Sequence, residues 1–222
     1  YNRPFAKATK IVRESLSSAA GPFTIQYFVA GHAISGDHWY YDPKEGTRIC
    51  GNVGHWIDLS IHLMSQRGVA DDWKVDIAYA DPDRREENFS LSMCSDKGDL
   101  INMIFTSRGE PFDGVNESVN IQQGDVIAKI EDYQFLRLWK GHNYLQRKFR
   151  PKDVGHRDSI LQMFRSKGSY RRPWSEVYLS TILMLHITDM VRAGDVTSTI
   201  KFSEIKQAVE KAKMGQEVDG SR

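Results

Sequence analysis

Between Trp73 and Phe149 one pattern recurs: short runs rich in β-branched and aromatic residues, separated by turn residues. The runs are Lys74–Ala80, Asn88–Cys94, Leu100–Thr106, Ser118–Gln122, Val126–Glu131 and Phe135–Trp139. Asp96-Lys97-Gly98-Asp99 and Gln123-Gly124-Asp125 between them are tight-turn sequences. A parallel pair needs a crossover of a dozen or more residues, so strands joined by such short turns must run antiparallel. This constraint dominates what the chain can become.

The flanks are helical. Ala6, Ile11 and Val12 are spaced for a helix over 5–16, closed by Gly21-Pro22, and Phe23–Ala30 reads as a further strand. A helix over His55–Met64 places Trp56, Leu59 and Leu63 on one side. Three more helices are expected over Asp158–Phe164, Ser175–Arg192 and Phe202–Ala212, with Ser175 as an N-cap and Gly194 just past the end of the long one. This order predicts an α+β fold in one domain, residues 1–222: an open, predominantly antiparallel sheet with helices packed on one face. A chain of 222 residues, 40% of them hydrophobic, can fill one such core.

Thirty Lys and Arg against 29 Asp and Glu argue against a nucleic-acid partner. The longest apolar stretch, Val177–Val191, is too short and too polar to span a bilayer. Cys50 and Cys94 form neither a CxxC motif nor a disulfide framework. The expectation is a soluble, cytoplasmic protein without a membrane partner. No G-x-G-x-x-G, P-loop, G-x-S-x-G or H-E-x-x-H motif is present. Tyr1-Asn2-Arg3-Pro4-Phe5 leads straight into a helix, which creates the expectation of a piece cut from something longer.

The segment from Ala30 to Leu63 is dense in polar and aromatic groups. Asp37, His38, Trp39, Tyr40, Tyr41 and Asp42 set hydrogen-bonding atoms beside flat apolar faces, a combination suited to polyhydroxylated ligands. For Trp39 and Tyr40, aromatics plugging the core are an equal alternative. His55 opens a helix with Asp58 one turn on. A neutral imidazole there can accept a proton from a substrate hydroxyl. By residue type alone, a histidine capping backbone or packed against Trp56 is the plainer reading. His55, Asp58 and His62 share a face, but no further ligand cluster supports a metal.

These residues carry a resemblance. The chain is similar to the C-terminal domain of the Gfo/Idh/MocA oxidoreductases, the superfamily of glucose-fructose oxidoreductase and inositol dehydrogenase. The likeness lies in Tyr1, Asn2, Arg3 and Phe5; in Asp37-His38-Trp39 followed by Asp42-Pro43; and in Gly46, Arg48, Ile49, Gly54, His55, Ile57 and Asp58. Asp96-Lys97-Gly98, Ser107-Arg108-Gly109 and Gly155-His156 are looser matches. The resemblance implies a GAPDH-like C-terminal domain with no Rossmann domain in this chain. In the family a separate first domain binds NAD or NADP and supplies a catalytic lysine, so no cofactor is expected on residues 1–222. It implies His55 as base or orienting group, Arg3, His38, Trp39, Asn52, Asp58 and His156 around a sugar, nucleotide sugar or polyol, and Asp58 supporting His55. It also implies a homodimer or tetramer through the sheet's outer face, in keeping with strands that carry apolar residues on both sides, as at Ile101, Met103, Ile104 and Phe105. Many members have aspartate four residues before the histidine and others glutamate three before. Here those positions are Gly51 and Asn52. That departure leaves a second reading open, a non-catalytic ligand-binding or assembly module.

Elsewhere, Arg171-Arg172-Pro173-Trp174 and Gln146–Lys152 are basic patches, read first as surface charge and second as phosphate contacts. His186 is expected to be a satisfied core histidine.

Overall fold

A computed structural model describes residues 1–42, 47–68, 70–109, 114–165 and 172–207. Helix α1 (Lys7–Leu16) leads into β1 (Phe23–His32), and α2 (Gly54–Met64) follows the aromatic loop. Then come β2 (Asp72–Tyr79), β3 (Phe89–Ser95), β4 (Leu100–Gly109), β5 (Asn116–Gln123), β6 (Val126–Glu131), β7 (Phe135–Lys140) and β8 (Asn143–Lys148). The described part ends with α3 (His156–Arg165), α4 (Trp174–Ala193), β9 (Thr197–Lys201) and a helical stretch over 202–207. Of the helix expected over Phe202–Ala212, the remainder lies outside the described residues, as do Pro43, Gly46 and Arg171.

The nine strands form one sheet in the order β8-β7-β6-β5-β1-β4-β3-β2-β9. Seven of its eight pairings are antiparallel, as the short turns require. The exception is β1 with β4, which are parallel, with Phe28 opposite Ile104. The connection between them spans the aromatic loop, α2 and two strands, long enough to return the chain in the same direction. Two strands escaped the sequence pattern. β8 and β9 are edge strands, and their mostly exposed residues show no alternation of apolar and polar side chains.

One face of the sheet is the core. Phe23, Ile25, Tyr27 and Val29 of β1 and Ile101, Met103 and Phe105 of β4 point into it and are buried. The other face carries Phe28, Leu100, Ile104, Ile127 and Tyr144, all well exposed. β4 thus carries apolar residues on both sides, as expected: Ile101, Met103 and Phe105 face the core and Ile104 the open face.

α2 lies against the sheet on one side and α4 on the other, and its residues from Trp56 to Met64 are all buried. A helix buried all round must pair its polar side chains internally. Ser60 Oγ meets Tyr27 Oη at 2.7 Å. Asp58 accepts from Arg172 (2.7 Å) and Ser180 (3.0 Å). His62 Nδ1 lies 2.6 Å from Glu176 Oε1 and contacts Arg13. Arg172 is therefore neither surface charge nor a phosphate contact. Its guanidinium is 9% exposed and joins α2 to the first turn of α4.

The long helix starts one residue earlier than expected. Pro173 is its N-cap and accepts from Glu176 N at 3.0 Å, so Ser175 sits inside the first turn and makes no cap. Gly194 closes it in the left-handed region, at φ 79°, where glycine is favoured. His186 is half-buried on α4, but its Nε2 lacks a hydrogen-bond partner among the described residues, so it is not the satisfied histidine expected.

Candidate functional site

A cleft of about 500 Å³ opens at the start of α2, lined by Tyr1, Asn2, Phe5, His55, His156, Ser159 and Gln162. Its floor is set by the first six residues. Asn2 Nδ2 donates to Val154 O at 2.6 Å. Gly155, at φ 89°, comes so near this segment that a Cβ there would stand 2.2 Å from Asn2 O. Only glycine permits that approach, and it brings His156, the first residue of α3, to the cleft.

His55 packs edge-on against Tyr1, with ring centroids 4.8 Å apart. Its Nδ1 is buried and has no hydrogen-bond partner among the described residues. Burial pushes its proton affinity down to a pKa of about 3, and the guanidinium of Arg3 adds to the effect. At neutral pH the imidazole is uncharged. Tyr1 Oη donates to Cys50 O at 2.8 Å, and burial drives its phenol up to about 12.

Sequence reasoning placed six further residues around the substrate, and the structure distributes them. His156 joins His55 in the cleft. Asp58 does not support His55: its oxygens are held by Arg172 and Ser180, and it belongs to the α2–α4 junction. Arg3 is 6% exposed and turned into the core. Its Nε and Nη2 reach the two Glu117 oxygens at 3.2 and 2.7 Å, and its guanidinium lies 5.0 Å over the Trp56 ring. Trp56 Nε1 completes that cluster with a 2.5 Å bond to Glu117 Oε2. Asn52 is half-buried in a π-helical turn, Ile49–Val53, that feeds α2, and it does not line the cleft. Such turns recur at functional sites. Trp39 opens a 3-10 turn, Trp39–Tyr41, and His38 caps it; His38 Nδ1 accepts from Tyr40 N at 3.2 Å, and Trp39 is 52% exposed. Among the described residues no cluster has the ligands for a metal ion.

The loop aromatics divide. Trp39 is not a core plug, whereas the phenol end of Tyr40 lies directly on Gly51. Of the side chains lining the cleft, Tyr1, Ser159 and Gln162 are among those that sequence reasoning did not assign to the site. For Tyr1 the available signal was Gly51-x-x-Gly54, two glycines one turn apart at a helix start, which leaves a smooth surface for rings to cover.

A second, larger cavity of about 650 Å³ lies beyond the loop, between Tyr40, Tyr41 and the Arg84–Glu87 turn. Its charged lining is largely self-paired: Arg84 with Glu87, and Arg85 with the carbonyls of Val191 and Arg192.

No protein-family model and no curated protein sequence matches the chain. Solved structures do. A dehydrogenase from Chromobacterium violaceum superposes with a TM-score of 0.66 at 12% identity over 96% of this chain and 63% of its own. An aldose-aldose oxidoreductase from Caulobacter crescentus, complexed with glycerol, gives 0.58 at 14% over 90% and 61%. A Gfo/Idh/MocA family oxidoreductase from Vibrio cholerae gives 0.57 at 14% over 86% and 61%. The chain spans about three fifths of the length of each of these proteins. Among the described residues no helix is long and apolar enough to cross a membrane. In its mixed nine-stranded sheet with helices on one face, the chain has the fold found in oxidoreductases of the Gfo/Idh/MocA family.

Proposed function

We propose that this chain is the substrate-side, C-terminal domain of a Gfo/Idh/MocA-type oxidoreductase that works on a sugar, nucleotide sugar or polyol with NAD or NADP. The observation that carries the reading is His55: a neutral imidazole with an unpartnered buried Nδ1, in an open cleft, at the start of a helix packed into the core. A group with a pKa near 3 is a weak base at neutral pH. His55 therefore orients a substrate hydroxyl by hydrogen bonding, with His156 beside it, and proton removal falls to a group outside this chain. Relatives in fold that are dehydrogenases and an aldose oxidoreductase support the same reading.

Among the described residues, the start of α2 does not fit a dinucleotide. A pyrophosphate is held by a glycine-rich turn and an open helix N-terminus. At α2 that end is covered, since a Cβ on Gly54 would stand 2.1 Å from Tyr1 Oη. In this reading the cofactor is held by another domain. In a protein joining this chain to its dinucleotide-binding domain, His55→Ala should lower turnover far more than cofactor affinity. Unchanged turnover across a sugar panel would remove His55 from the reaction. It would favour instead the non-catalytic ligand-binding module, which the lack of a carboxylate from Asp58 to His55 also suits.

We also propose that a second copy covers the open sheet face, where Phe28 and Ile104 are cross-strand neighbours and Ile127, Trp139 and Tyr144 continue the apolar surface toward β8.

A further inference from the structure

Helix α3 is amphipathic in an inverted sense. Its apolar Ile160 and Phe164, one turn apart, are 55% and 74% exposed. Its polar Ser159 and Gln162 are half-buried and line the cleft with His156, at the spacing that sets three side chains along one face of a helix. Surface helices usually do the reverse, because burying a polar group costs free energy unless it is hydrogen-bonded. The polar wall is also firmly placed. Gly155 lets the start of α3 approach the backbone of Asn2 and Phe5, and Asp158 pairs with Lys10 of α1.

The hydrogen-bonding capacity of this wall is specific in kind. Ser159 Oγ donates its one proton to His156 O at 2.8 Å, so toward the cleft the hydroxyl offers lone pairs. The Gln162 amide both donates and accepts, and the neutral imidazole of His55 has one donor and one acceptor nitrogen. A ligand hydroxyl donates and accepts, and so satisfies all three groups. A phosphate, whose ionised oxygens only accept, meets in Ser159 an acceptor with no proton left. The neighbouring guanidiniums are committed elsewhere, Arg3 to Glu117 and Arg172 to Asp58 and Glu176. Among the described residues no Lys or Arg lines the cleft. The start of α3, where a helix draws anions, already holds the Asp153 carboxylate, which accepts from Gly155 N at 3.1 Å.

We propose that Ser159 and Gln162 are specificity-determining residues of the His55 cleft, and that its ligand is an unphosphorylated sugar or polyol rather than a nucleotide sugar. This rests on the sugar-site reading above and narrows it. Each of the two side chains reads a ligand hydroxyl from the α3 wall, and the ring of Tyr1 supplies an apolar surface between that wall and His55.

The test titrates residues 1–222 at pH 7 with D-glucose and with UDP-glucose, by saturation-transfer NMR and calorimetry. Glucose should bind, and UDP-glucose should bind no more tightly. Gln162→Leu keeps the side chain's bulk and removes its amide, and should weaken glucose by about three- to tenfold, the range of one neutral hydrogen bond. Ser159→Ala should weaken it by a similar factor. Thermal melts confirm that each variant folds. Among the singly deoxygenated glucoses, one should bind the wild type and Gln162→Leu equally, because the hydroxyl that Gln162 reads is missing from it. Tighter binding of UDP-glucose than of glucose overturns the preference for an unphosphorylated ligand. Glucose affinity left unchanged by either variant overturns the role of that residue, and an equal loss for every deoxyglucose overturns direct contact by Gln162; the sugar-site reading survives all three results. If neither probe binds the wild type, that reading and this inference fall together.

Discussion

His55 offers a test that needs no ligand. Its folded-state pKa lies near 3, against an ordinary value of 6.5. A histidine whose pKa is depressed by folding gives its full stability above the unfolded value, and that stability is lost as pH falls from 6.5 toward the folded value. At pH 4.5 the unfolded chain has protonated His55 and the folded chain has not. Two pH units at about 1.36 kcal/mol each make a loss of about 2.7 kcal/mol from this one residue. The assay is urea denaturation of the wild type and of His55→Gln at pH 7 and pH 4.5. Carboxylates and the other histidines titrate in both proteins and cancel in the comparison. The wild type should lose about 2–3 kcal/mol more than the variant between the two pH values. Equal losses would refute the claim that His55 is held neutral by its burial.

Three other outcomes are expected. Glu117→Gln leaves the buried Arg3 guanidinium without its counter-charge and should cost about 3–5 kcal/mol in chemical denaturation. The pair Arg3→Met with Glu117→Gln should recover part of it. Gly155→Ala must place a Cβ 2.2 Å from a backbone oxygen at a positive φ. It should therefore lower stability by more than about 1 kcal/mol and disturb the cleft, seen as shifted His55 and His156 NMR resonances. Ile104→Lys puts a charge beside Phe28 on the open sheet face, and sedimentation should show an assembly becoming a monomer. An unchanged sedimentation coefficient would argue against that face as the interface.

Much of the architecture was legible in local pattern. The strands from Lys74 to Trp139 and the helices at 55–64 and 175–192 announce themselves because half-buried strands alternate and helices repeat their apolar stripe. β8 and β9 were not legible, because an edge strand with exposed residues has no burial to imprint on its sequence. The site divides along the same line. His55 and His156 were named from short motifs, and the structure places both in one cleft. Arg3 and Asp58 carry the residue types of a sugar site, yet their use depends on partners 114 residues away, Glu117 and Arg172.

From the sequence alone, then, came the α+β order, the antiparallel bias and the histidine at the helix start, all encoded in near neighbours and turn chemistry. Only the tertiary structure decided that β1 and β4 run parallel, that α2 is buried on every side, and that its Asp58 and His62 are consumed by α4 and α1. It also decided that Tyr40 occupies the space above Gly51. The physical reason is common to all four. A charge or ring is committed by whatever lies opposite it in space, and the sequence does not record which distant segment that will be.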